Sequence, residues 1–252
     1  MECFIVEPGD VHSDRRELVL RGDEAHHALK SLRMRPGDEL LATNLVGTCY
    51  QARVVRVEGA DLICTIEKVL HGYGESKRHI TLIQAIISQP SRWEFLIEKA
   101  TELGVKVIQP VITERTERPH FKTDRTERIL RAAVKQTKRA NKPWLRMATI
   151  DTSQKGMSDE ISTLRAALAE AVQEKCSLIL LHELASPDFD LRTIADRLGD
   201  APIGIAVGPE GGFSEEEVRM AREEFGAAIV SLGPRRLRAE TAAIAALAVV
   251  IR

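Results

Sequence analysis

The amino-acid sequence predicts an α/β protein, with a small N-terminal β-sheet or β-barrel followed by a larger domain built on a mostly parallel sheet. Three observations lead to this fold class. Short β-forming runs with close turns dominate the N-terminal part, strands alternate with helices in the rest, and two consecutive C-terminal strands precede glycine-containing loops. Close turns join antiparallel strands, whereas parallel strands need crossover helices. We therefore expect two domains, residues 1–72 and 73–252.

The N-terminal domain is predicted from β-forming runs that alternate with turn residues. Pro36–Asp38 is a turn signal, and Gly47 and Gly59 can take the positive φ that tight turns require. One helix is expected over Asp23–Lys30, with Asp23 as a possible cap. The glycine-containing segment His71–Ser76 is the expected linker. The predicted strands are Phe4–Val6, Glu17–Leu20, Glu39–Thr43, Tyr50–Val57 and Leu62–Val69.

The C-terminal domain is predicted from strands that alternate with helices of ordinary length. Gly104 and Gly226 stand where helices commonly end. The predicted strands are Ile80–Ile87, Val105–Ile112, Ser177–Leu181, Ile203–Val207 and Ala228–Leu232. The predicted helices are Trp93–Leu103, Asp124–Ala140, Ser158–Lys175, Glu215–Phe225 and Thr241–Ile251. Such alternation implies crossover connections and a mostly parallel sheet.

The overall composition excludes several classes of protein. The 252 residues are 44% hydrophobic with a net charge of −1, so they suit a packed core and favour no class of partner. The four cysteines are widely spaced and form no Cys-x-x-Cys pair, which favours buried reduced thiols over a zinc site or a disulfide framework. No apolar stretch is long enough to span a membrane, and no N-terminal signal region is visible. We expect a cytoplasmic protein without a metal.

The first candidate loop is Val207–Ser214, which carries three glycines and a proline at the end of a predicted strand. Residues without side chains let the backbone approach a ligand closely. Ser214 and Glu217 are spaced as a capping box at the start of the next helix. Glu210 and the three acids after Ser214 would repel phosphate, which favours a ligand with positive charge. The alternative is a tight turn before a well-capped helix.

The second candidate loop is Ser231–Thr241, in which three arginines occupy four consecutive positions. The carboxyl ends of strands in an open α/β sheet are where ligands bind. Arginines at such an edge could meet an RNA backbone or a developing negative charge. The alternatives are a solvated basic loop, and a capping role for Glu240 and Thr241 at the start of the last helix.

A third feature is the basic stretch that follows Glu114. Five cations recur at intervals of three or four residues and are expected to share one helix face, namely Arg128, Arg131, Lys135, Lys138 and Lys142. A basic helix face is the electrostatic footprint expected for RNA binding. Trp144 could stack on a base, although a tryptophan is more often part of a core or an interface. A solvated helix face is the alternative.

These motifs carry a resemblance to a known family. Val207–Ser214 and Leu232–Ala242 together resemble the signature pair of the SPOUT methyltransferases, and within them the family that methylates N3 of a uridine in small-subunit (16S) ribosomal RNA. Glu98–Val105 and Leu32–Asp38 are also typical of that family. The resemblance spans almost the whole chain. One departure is the run Lys135–Arg139, in which Lys135 stands where the family usually has an acid.

The resemblance implies a trefoil knot near the C-terminus, a PUA-like N-terminal barrel, a homodimer, and S-adenosylmethionine bound in the knot. The RNA partner would be 16S ribosomal RNA, within the small ribosomal subunit. By motif position, the cofactor would be held largely through backbone groups of Leu181, His182, Gly208, Pro209, Glu210, Gly211, Gly212, Leu232, Gly233, Arg236, Leu237 and Thr241.

Two residues of the second loop are candidates for catalysis. Uridine N3 becomes a good nucleophile only when its proton leaves, and the charge then spreads onto the flanking carbonyl oxygens. Arg238 would stabilise this anion or position the nucleotide, and Glu240 would act as the base or hold Arg238. The predicted RNA-binding residues are Arg33, Arg35, Arg128, Arg131, Lys135, Lys138 and Arg139.

Two other functions remain open at this point. One is a methyltransferase of the same fold that acts on a different RNA. The other is a non-catalytic RNA-binding protein that keeps the fold without the methyl donor. A nucleotide-dependent phosphoryl enzyme is disfavoured, because the helix after the first loop begins with acids and no Lys-Ser or Lys-Thr pair follows the glycines.

Overall fold

The computed structural model describes residues 1–117, 121–147, 161–183, 185 and 191–251. The chain divides into two compact units. The first contains Met1–Glu75 and Arg131–Lys142, and the second contains Ser76–Leu130 and Pro143–Arg252. The first unit therefore includes a segment that lies far from it in sequence.

The first unit is built on a six-stranded sheet. Its strands are β1 (Glu2–Ile5), β2 (Val11–His12), β3 (Glu17–Leu20), β4 (Glu39–Thr43), β5 (Thr48–Glu58) and β6 (Asp61–His71). They lie in the order β1-β4-β5-β6-β3-β2, and every pair except β1–β4 is antiparallel. A helix, α1 (Gly22–His26), continues into one π-helical turn over His27–Ser31. The five strands and the helix that the sequence predicted are all present.

The second unit is built on a seven-stranded parallel sheet. Its strands are β7 (Ile80–Ala85), β8 (Val107–Ile112), β9 (Trp144–Leu145), β10 (Ser162–Thr163), β11 (Ser177–Leu181), β12 (Ile203–Val207) and β13 (Ala228–Val230). The helices of this part of the chain are α2 (Pro90–Glu102), α3 (Thr123–Thr137), α4 (Leu164–Gln173), α5 (Leu191–Leu198), α6 (Glu215–Glu223) and α7 (Ala239–Val250). Helix α3 begins in the second unit and ends in the first.

The strand order of the parallel sheet brings the candidate loops together. The order is β10-β8-β7-β12-β11-β13, and β9 pairs with β8. Strand β11 lies between β12 and β13, with Leu180 opposite Ala206 and Leu181 opposite Val230. The loops that follow these three strands therefore leave the sheet side by side. The predicted α/β class with a mostly parallel sheet is confirmed, and the trefoil knot stays a prediction.

Both faces of the parallel sheet are covered by helices. Alternate residues of one strand point to opposite faces, so Ile179 packs with α2, α5 and α7, whereas Leu180 packs with α4 and α6. Burial on both faces explains why these strands read as continuous apolar runs. Among the described residues, no helix is long and apolar enough to cross a membrane. All four cysteines are buried and free, as predicted.

Two helix predictions need correction, and one helix was missed. Helix α3 ends at Thr137 rather than Ala140, because Lys138 takes a left-handed backbone conformation with φ +59°. The predicted helix over Ser158–Lys175 begins only at Leu164, where the Thr163 hydroxyl accepts a hydrogen bond from the amide of Ala166. Its residues 158–160 lie outside the described residues. Helix α5 and the two-residue strands β2, β9 and β10 were not predicted.

Candidate active site

A cavity of about 330 Å³ lies in the second unit, at the carboxyl edge of the parallel sheet. Its walls are the three loops that follow β11, β12 and β13, together with Arg92 from α2 and Arg115 from the loop after β8. The carboxyl edge of an open α/β sheet is where such folds bind ligands. Both glycine-containing loops that the sequence singled out face this one cavity.

The loop after β12 is a closely packed backbone cradle. A Cβ added to Gly208 would lie 3.1–3.2 Å from backbone atoms of Gly212 and Phe213, so a larger residue would force this backbone to shift. Gly212 has φ +69°, and its amide donates to the carbonyl oxygen of Pro209 at 2.9 Å. The side chain of Gln84, on β7, reaches the carbonyl of Gly208 at 3.5 Å. The glycines are thus required by backbone geometry.

The acids after this loop serve the helix rather than the cavity. The Ser214 hydroxyl accepts from the amide of Glu217, and the Glu217 carboxylate accepts from the amides of Ser214 and Glu114. Glu215 and Glu216 are exposed and do not line the cavity. The capping box is confirmed. Of the four acids on which the prediction of a positively charged ligand rested, Glu210 lines the cavity, whereas Glu215, Glu216 and Glu217 do not.

The charge that does line the cavity is mostly positive. The two lining acids are Glu183 and Glu210. The five lining arginines are Arg92, Arg115, Arg235, Arg236 and Arg238. A surplus of guanidinium groups favours an anionic partner, such as a nucleic-acid phosphate or an anion formed during a reaction.

Two of these arginines hold the loops to one another. Arg236 reaches the carbonyl oxygen of Glu210 through Nη2 at 3.5 Å and the carboxylate of Glu183 through Nε at 3.5 Å. Arg115 donates to the carbonyl oxygen of Gly211 at 3.1 Å through Nη1. These guanidinium groups satisfy backbone carbonyls in loops that have no regular hydrogen-bond partners.

The loop after β13 presents arginines to solvent. The Ser231 hydroxyl accepts from the amide of Gly233 at 3.2 Å, and Gly233 has φ +110°. Arg238 is the N-cap residue of α7, and its carbonyl accepts from the amide of Ala242. Within the described part of the chain, the guanidinium groups of Arg235 and Arg238 make no hydrogen bond or ion pair. They are available to a ligand.

The imidazole of His182 lies at the end of β11, beside the cavity. Its backbone amide donates to the carbonyl of Val230 at 2.9 Å, which extends the pairing of β11 with β13. Partial burial holds the pKa of the His182 imidazole below its usual range, although Glu183 opposes the shift. The ring is therefore neutral near pH 7, which agrees with a role in shaping the cavity wall.

Glu240 is held by Arg92, a residue that the sequence interpretation missed. Arg92 donates through Nε to Oε1 of Glu240 at 2.8 Å and through Nη2 to Oε2 at 2.5 Å. Burial alone would raise the pKa of the Glu240 carboxyl, but the hydrogen bonds from Arg92 and the charge on Arg238 hold that pKa below its usual range. A low pKa makes Glu240 a weak base at neutral pH. The available signal in the sequence was a cation in the first turn of a helix, an unfavourable position that calls for a nearby acid.

Most of the predicted cofactor residues line the cavity. Arg238 lines it as well, whereas Thr241 and Glu240 are not among the lining residues. Thr241 is exposed, and Glu240 is buried behind Arg92. The predicted cofactor residues that line the cavity are Leu181, His182, Gly208, Pro209, Glu210, Gly211, Gly212, Leu232, Gly233, Arg236 and Leu237.

The predicted RNA-binding residues fall into two groups. Arg33, Arg35 and Arg128 are exposed. Arg131 pairs with Glu7 at 3.1 Å, and Lys135 pairs with Glu24 at 2.8 Å, so part of their charge is neutralised. The expected helix face is shortened, because Lys138 and Lys142 lie beyond the end of α3.

Arg139 requires a correction as an RNA-binding residue. Its side chain is only 1% exposed, so it cannot contact RNA directly. It donates to both carboxylate oxygens of Glu75, through Nε at 3.1 Å and Nη2 at 2.8 Å. A bidentate pair at this depth is part of the interior of the first unit. Trp144 is exposed, and the guanidinium of Arg146 stacks 4.5 Å from its ring centroid.

Among the described residues, no group of three or more His, Cys, Asp or Glu side chains could hold a metal ion. The lining side chains of the cavity are instead arginines, two glutamates, His182, Ser231 and apolar groups. The cavity is therefore suited to an organic ligand with polar and apolar parts.

Comparison with known proteins adds independent information. A family model described as an RNA methyltransferase domain matches residues 74–251, and one described as an RNA methyltransferase PUA domain matches residues 20–67. The ribosomal RNA small subunit methyltransferase E of Mycobacterium bovis is 31% identical over 242 residues, which cover 92% of this chain and 85% of that protein.

Solved structures resemble almost the whole chain, and two examples contain S-adenosyl methionine. The ribosomal RNA small subunit methyltransferase E of Neisseria gonorrhoeae, bound to S-adenosyl methionine, has a TM-score of 0.79 at 30% identity and covers 98% of this chain and 95% of its own. A putative methyltransferase from Legionella pneumophila, in complex with the cofactor SAM, has a TM-score of 0.73 at 29% identity and covers 99% of this chain and 97% of its own.

Proposed function

Since this chain belongs to the family of the ribosomal RNA small subunit methyltransferase E, we propose that it transfers a methyl group from S-adenosylmethionine to N3 of a uridine in 16S ribosomal RNA. One observation carries the proposal. Three loops at the carboxyl edge of the sheet enclose one cavity. The glycine loop Gly208–Gly212 lines it together with Arg238, whose guanidinium has no partner among the described residues. The match of the PUA model agrees with the PUA-like N-terminal sheet that the resemblance implied.

The cavity could hold S-adenosylmethionine through backbone groups of the glycine-containing loop. The lack of space at Gly208 leaves amides and carbonyls as the groups that would meet a ligand there. We assign the cofactor to the loops that contain Leu181–His182, Gly208–Gly212 and Leu232–Leu237. Thr241, which is exposed and outside the lining, is the weakest member of the predicted set. When bound, the cofactor supplies a methyl group that its sulfonium has already activated.

The arginine at the start of α7 has the chemistry that the target nitrogen needs. Loss of the N3 proton leaves negative charge on the two flanking uracil oxygens. The exposed guanidinium of Arg238 offers N–H donors at the cavity wall, and these stabilise such an anion more strongly than they stabilise the neutral base. This preference lowers the pKa of the N3 proton and raises the population of the nucleophile.

Glu240 fits a supporting role better than the role of base. Both of its carboxylate oxygens accept hydrogen bonds from Arg92, and its pKa lies below the usual range. It lies in the first turn of α7, two residues after Arg238. We therefore assign it to holding the start of α7, and leave the proton at N3 to a group of the RNA or to solvent.

The partners are assigned on chemical grounds. The surplus of arginines in the cavity and the exposed Arg33, Arg35 and Arg128 suit a polyanionic RNA. A homodimer, which the family resemblance implies, is part of the proposal. We propose that the substrate is the small ribosomal subunit, which places the enzyme in the cytoplasm.

The test is methyl transfer with identification of the product. Small subunits and free 16S ribosomal RNA, both from cells that lack the modification, are incubated with the protein and isotope-labelled S-adenosylmethionine. The RNA is then digested to nucleosides. We expect labelled 3-methyluridine from the subunits, and loss of the label with Arg238→Ala. A different methylated nucleoside would contradict the N3 assignment. Donor binding without transfer to either RNA would contradict catalysis and leave an RNA-binding protein.

A further inference from the structure

We propose that Arg92 is a positioning residue that couples the two glycine-containing loops, so that the cofactor cradle and the start of α7 form or loosen together. The inference rests on the proposed function and concerns the same cavity. Arg92 is 19% exposed at the cavity wall and reaches glutamates from both loops. Its partner in the first loop is Glu210, and its partner at the end of the second is Glu240.

The geometry is a fork with three branches. Nε and Nη2 donate to the two oxygens of Glu240, while Nη1 lies 3.4 Å from Oε1 of Glu210. The same Glu210 oxygen accepts from the amide and the hydroxyl of Ser88, at 3.1 and 2.8 Å. Ser88 and Arg92 flank the start of α2, so this one helix end anchors both loops to the sheet.

Arg92 lies at an unfavourable position for a cation, near the positive end of the α2 dipole. It is the third residue of α2, whose first turn, Pro90–Trp93, contains no acid. A cation near the positive end of a helix dipole is unfavourable. The carboxylates of Glu210 and Glu240 compensate for this cost, and they come from distant parts of the chain. The positive charge at the start of α2 is thus compensated by one carboxylate from each of the two loop regions.

The guanidinium of Arg92 uses three separate nitrogens, two for the oxygens of Glu240 and one for Glu210. A lysine ammonium has a single nitrogen on a flexible stem, so it cannot reproduce this planar arrangement. Arg92→Lys therefore keeps the charge beside the buried Glu240 but loses the bidentate contact that is made while Glu210 is also reached. This variant separates coupling between the loops from simple charge compensation.

The second loop carries Arg238, so coupling has a functional consequence. Glu240 lies in the first turn of α7, next to the N-cap residue Arg238. When Arg92 holds Glu240 and Glu210 together, closure of the first loop on a ligand also fixes the backbone that bears Arg238. Coupling between two sites is a free energy, and values commonly correspond to affinity changes of about 5–150-fold.

The experiment compares Arg92→Lys with Arg53→Lys as a matched control. Arg53 also bridges two glutamates, Glu39 and Glu67, each at 2.6 Å, but on the exposed sheet of the first unit. Hydrogen–deuterium exchange is measured in the free protein for loops 208–213 and 231–238. Calorimetry gives the Kd for S-adenosylmethionine, thermal unfolding gives the Tm, and steady-state kinetics give both KM values.

We expect Arg92→Lys to speed exchange in both loops and to weaken S-adenosylmethionine binding about tenfold. The KM for RNA should stay near the wild-type value, and the Tm should fall by less than about 3 °C because the charge is kept. Arg53→Lys should change neither the exchange of these loops nor the Kd. Faster exchange in one loop only, or unchanged exchange in both, would overturn the inference.

Failure of the proposed function gives a different pattern. Wild-type protein that binds the donor and methylates no RNA refutes the proposed function, while exchange and affinity still decide whether Arg92 couples the loops. Wild-type protein that methylates RNA, with Arg92→Lys indistinguishable from it in exchange and Kd, refutes the coupling alone.

Discussion

The basic residues near α3 and those in the loop after β13 look alike in sequence but differ in the structure. Near α3, Arg131, Lys135 and Arg139 each contact a glutamate of the first unit. In the loop after β13, Arg235 and Arg238 are exposed and have no ion-pair partner among the described residues. A run of arginines therefore says little about function until their carboxylate partners are known.

The difference separates charges that build the fold from charges that meet a ligand. The donors of a paired and buried guanidinium are already occupied by its carboxylate. Removing the guanidinium would leave that carboxylate buried without a compensating charge. An exposed guanidinium at a cavity wall retains its five donors for a substrate. Substitutions in the two groups should accordingly fail in different assays, with stability lost in one group and catalysis or RNA affinity lost in the other.

The largest effect is expected for Arg139→Ala, which should lower the free energy of unfolding by about 3–5 kcal/mol because Glu75 would stay buried without a partner. Urea unfolding followed by circular dichroism measures this change. Arg131→Ala is the matched control, since its pair with Glu7 is exposed and should contribute at most about 1 kcal/mol. Equal unfolding midpoints for the two variants would contradict the structural role assigned to the buried pair of Arg139 and Glu75.

Next in size is Arg238→Ala, which should lower kcat by about 100–1,000-fold, the range found when a preorganised donor to a reaction anion is removed. The Tm should stay near the wild-type value, because the side chain makes no hydrogen bond or ion pair within the described residues. Steady-state kinetics and thermal unfolding together measure the two effects. Arg165→Ala, in a surface pair with Glu224, is the control for general loss of charge. An undiminished kcat would remove Arg238 from catalysis.

The smallest effect concerns RNA affinity. Arg35 is exposed without an ion-pair partner among the described residues, so Arg35→Ala should weaken RNA binding and reduce the slope of log K against log salt by about 1. Arg131→Ala should change the slope less, since Glu7 already neutralises part of that charge. Filter binding over a range of salt concentrations measures both slopes. A larger change for Arg131 would reverse the order that the structure indicates.

Much of the fold could be predicted because local patterns determine it. Strands such as Glu17–Leu20, Glu39–Thr43 and Ile203–Val207 have the predicted bounds, since each is an apolar run between turn residues. Helix α5 was missed, although Leu191, Ile194, Ala195 and Leu198 have helical spacing. Its eight residues are too few for the pattern to stand out from a loop. The left-handed conformation of Lys138 could not be foreseen, because it is uncommon outside glycine.

The sequence could predict which loops form the candidate site, but not which side chains contact one another there. Glycine spacing and strand ends located both loops around the cavity. The partners of charged side chains could not be predicted, because Arg139 and Glu75 lie 64 positions apart and Arg92 and Glu240 lie 148 apart. Such pairings depend on tertiary contacts between distant parts of the chain. These contacts decide which cations are structural. Arg92 was missed for the same reason.

The most direct measurement is calorimetric titration of the protein with S-adenosylmethionine, comparing wild type with Gly208→Val and Gly9→Val. A valine at position 208 would collide with the backbone of Gly212 and Phe213, whereas a Cβ at Gly9 meets no atom within 4 Å. Circular dichroism verifies that all three proteins are folded. We predict binding to the wild type and to Gly9→Val, and none to folded Gly208→Val. Wild-type affinity in Gly208→Val would contradict the assignment of the cofactor to this cavity.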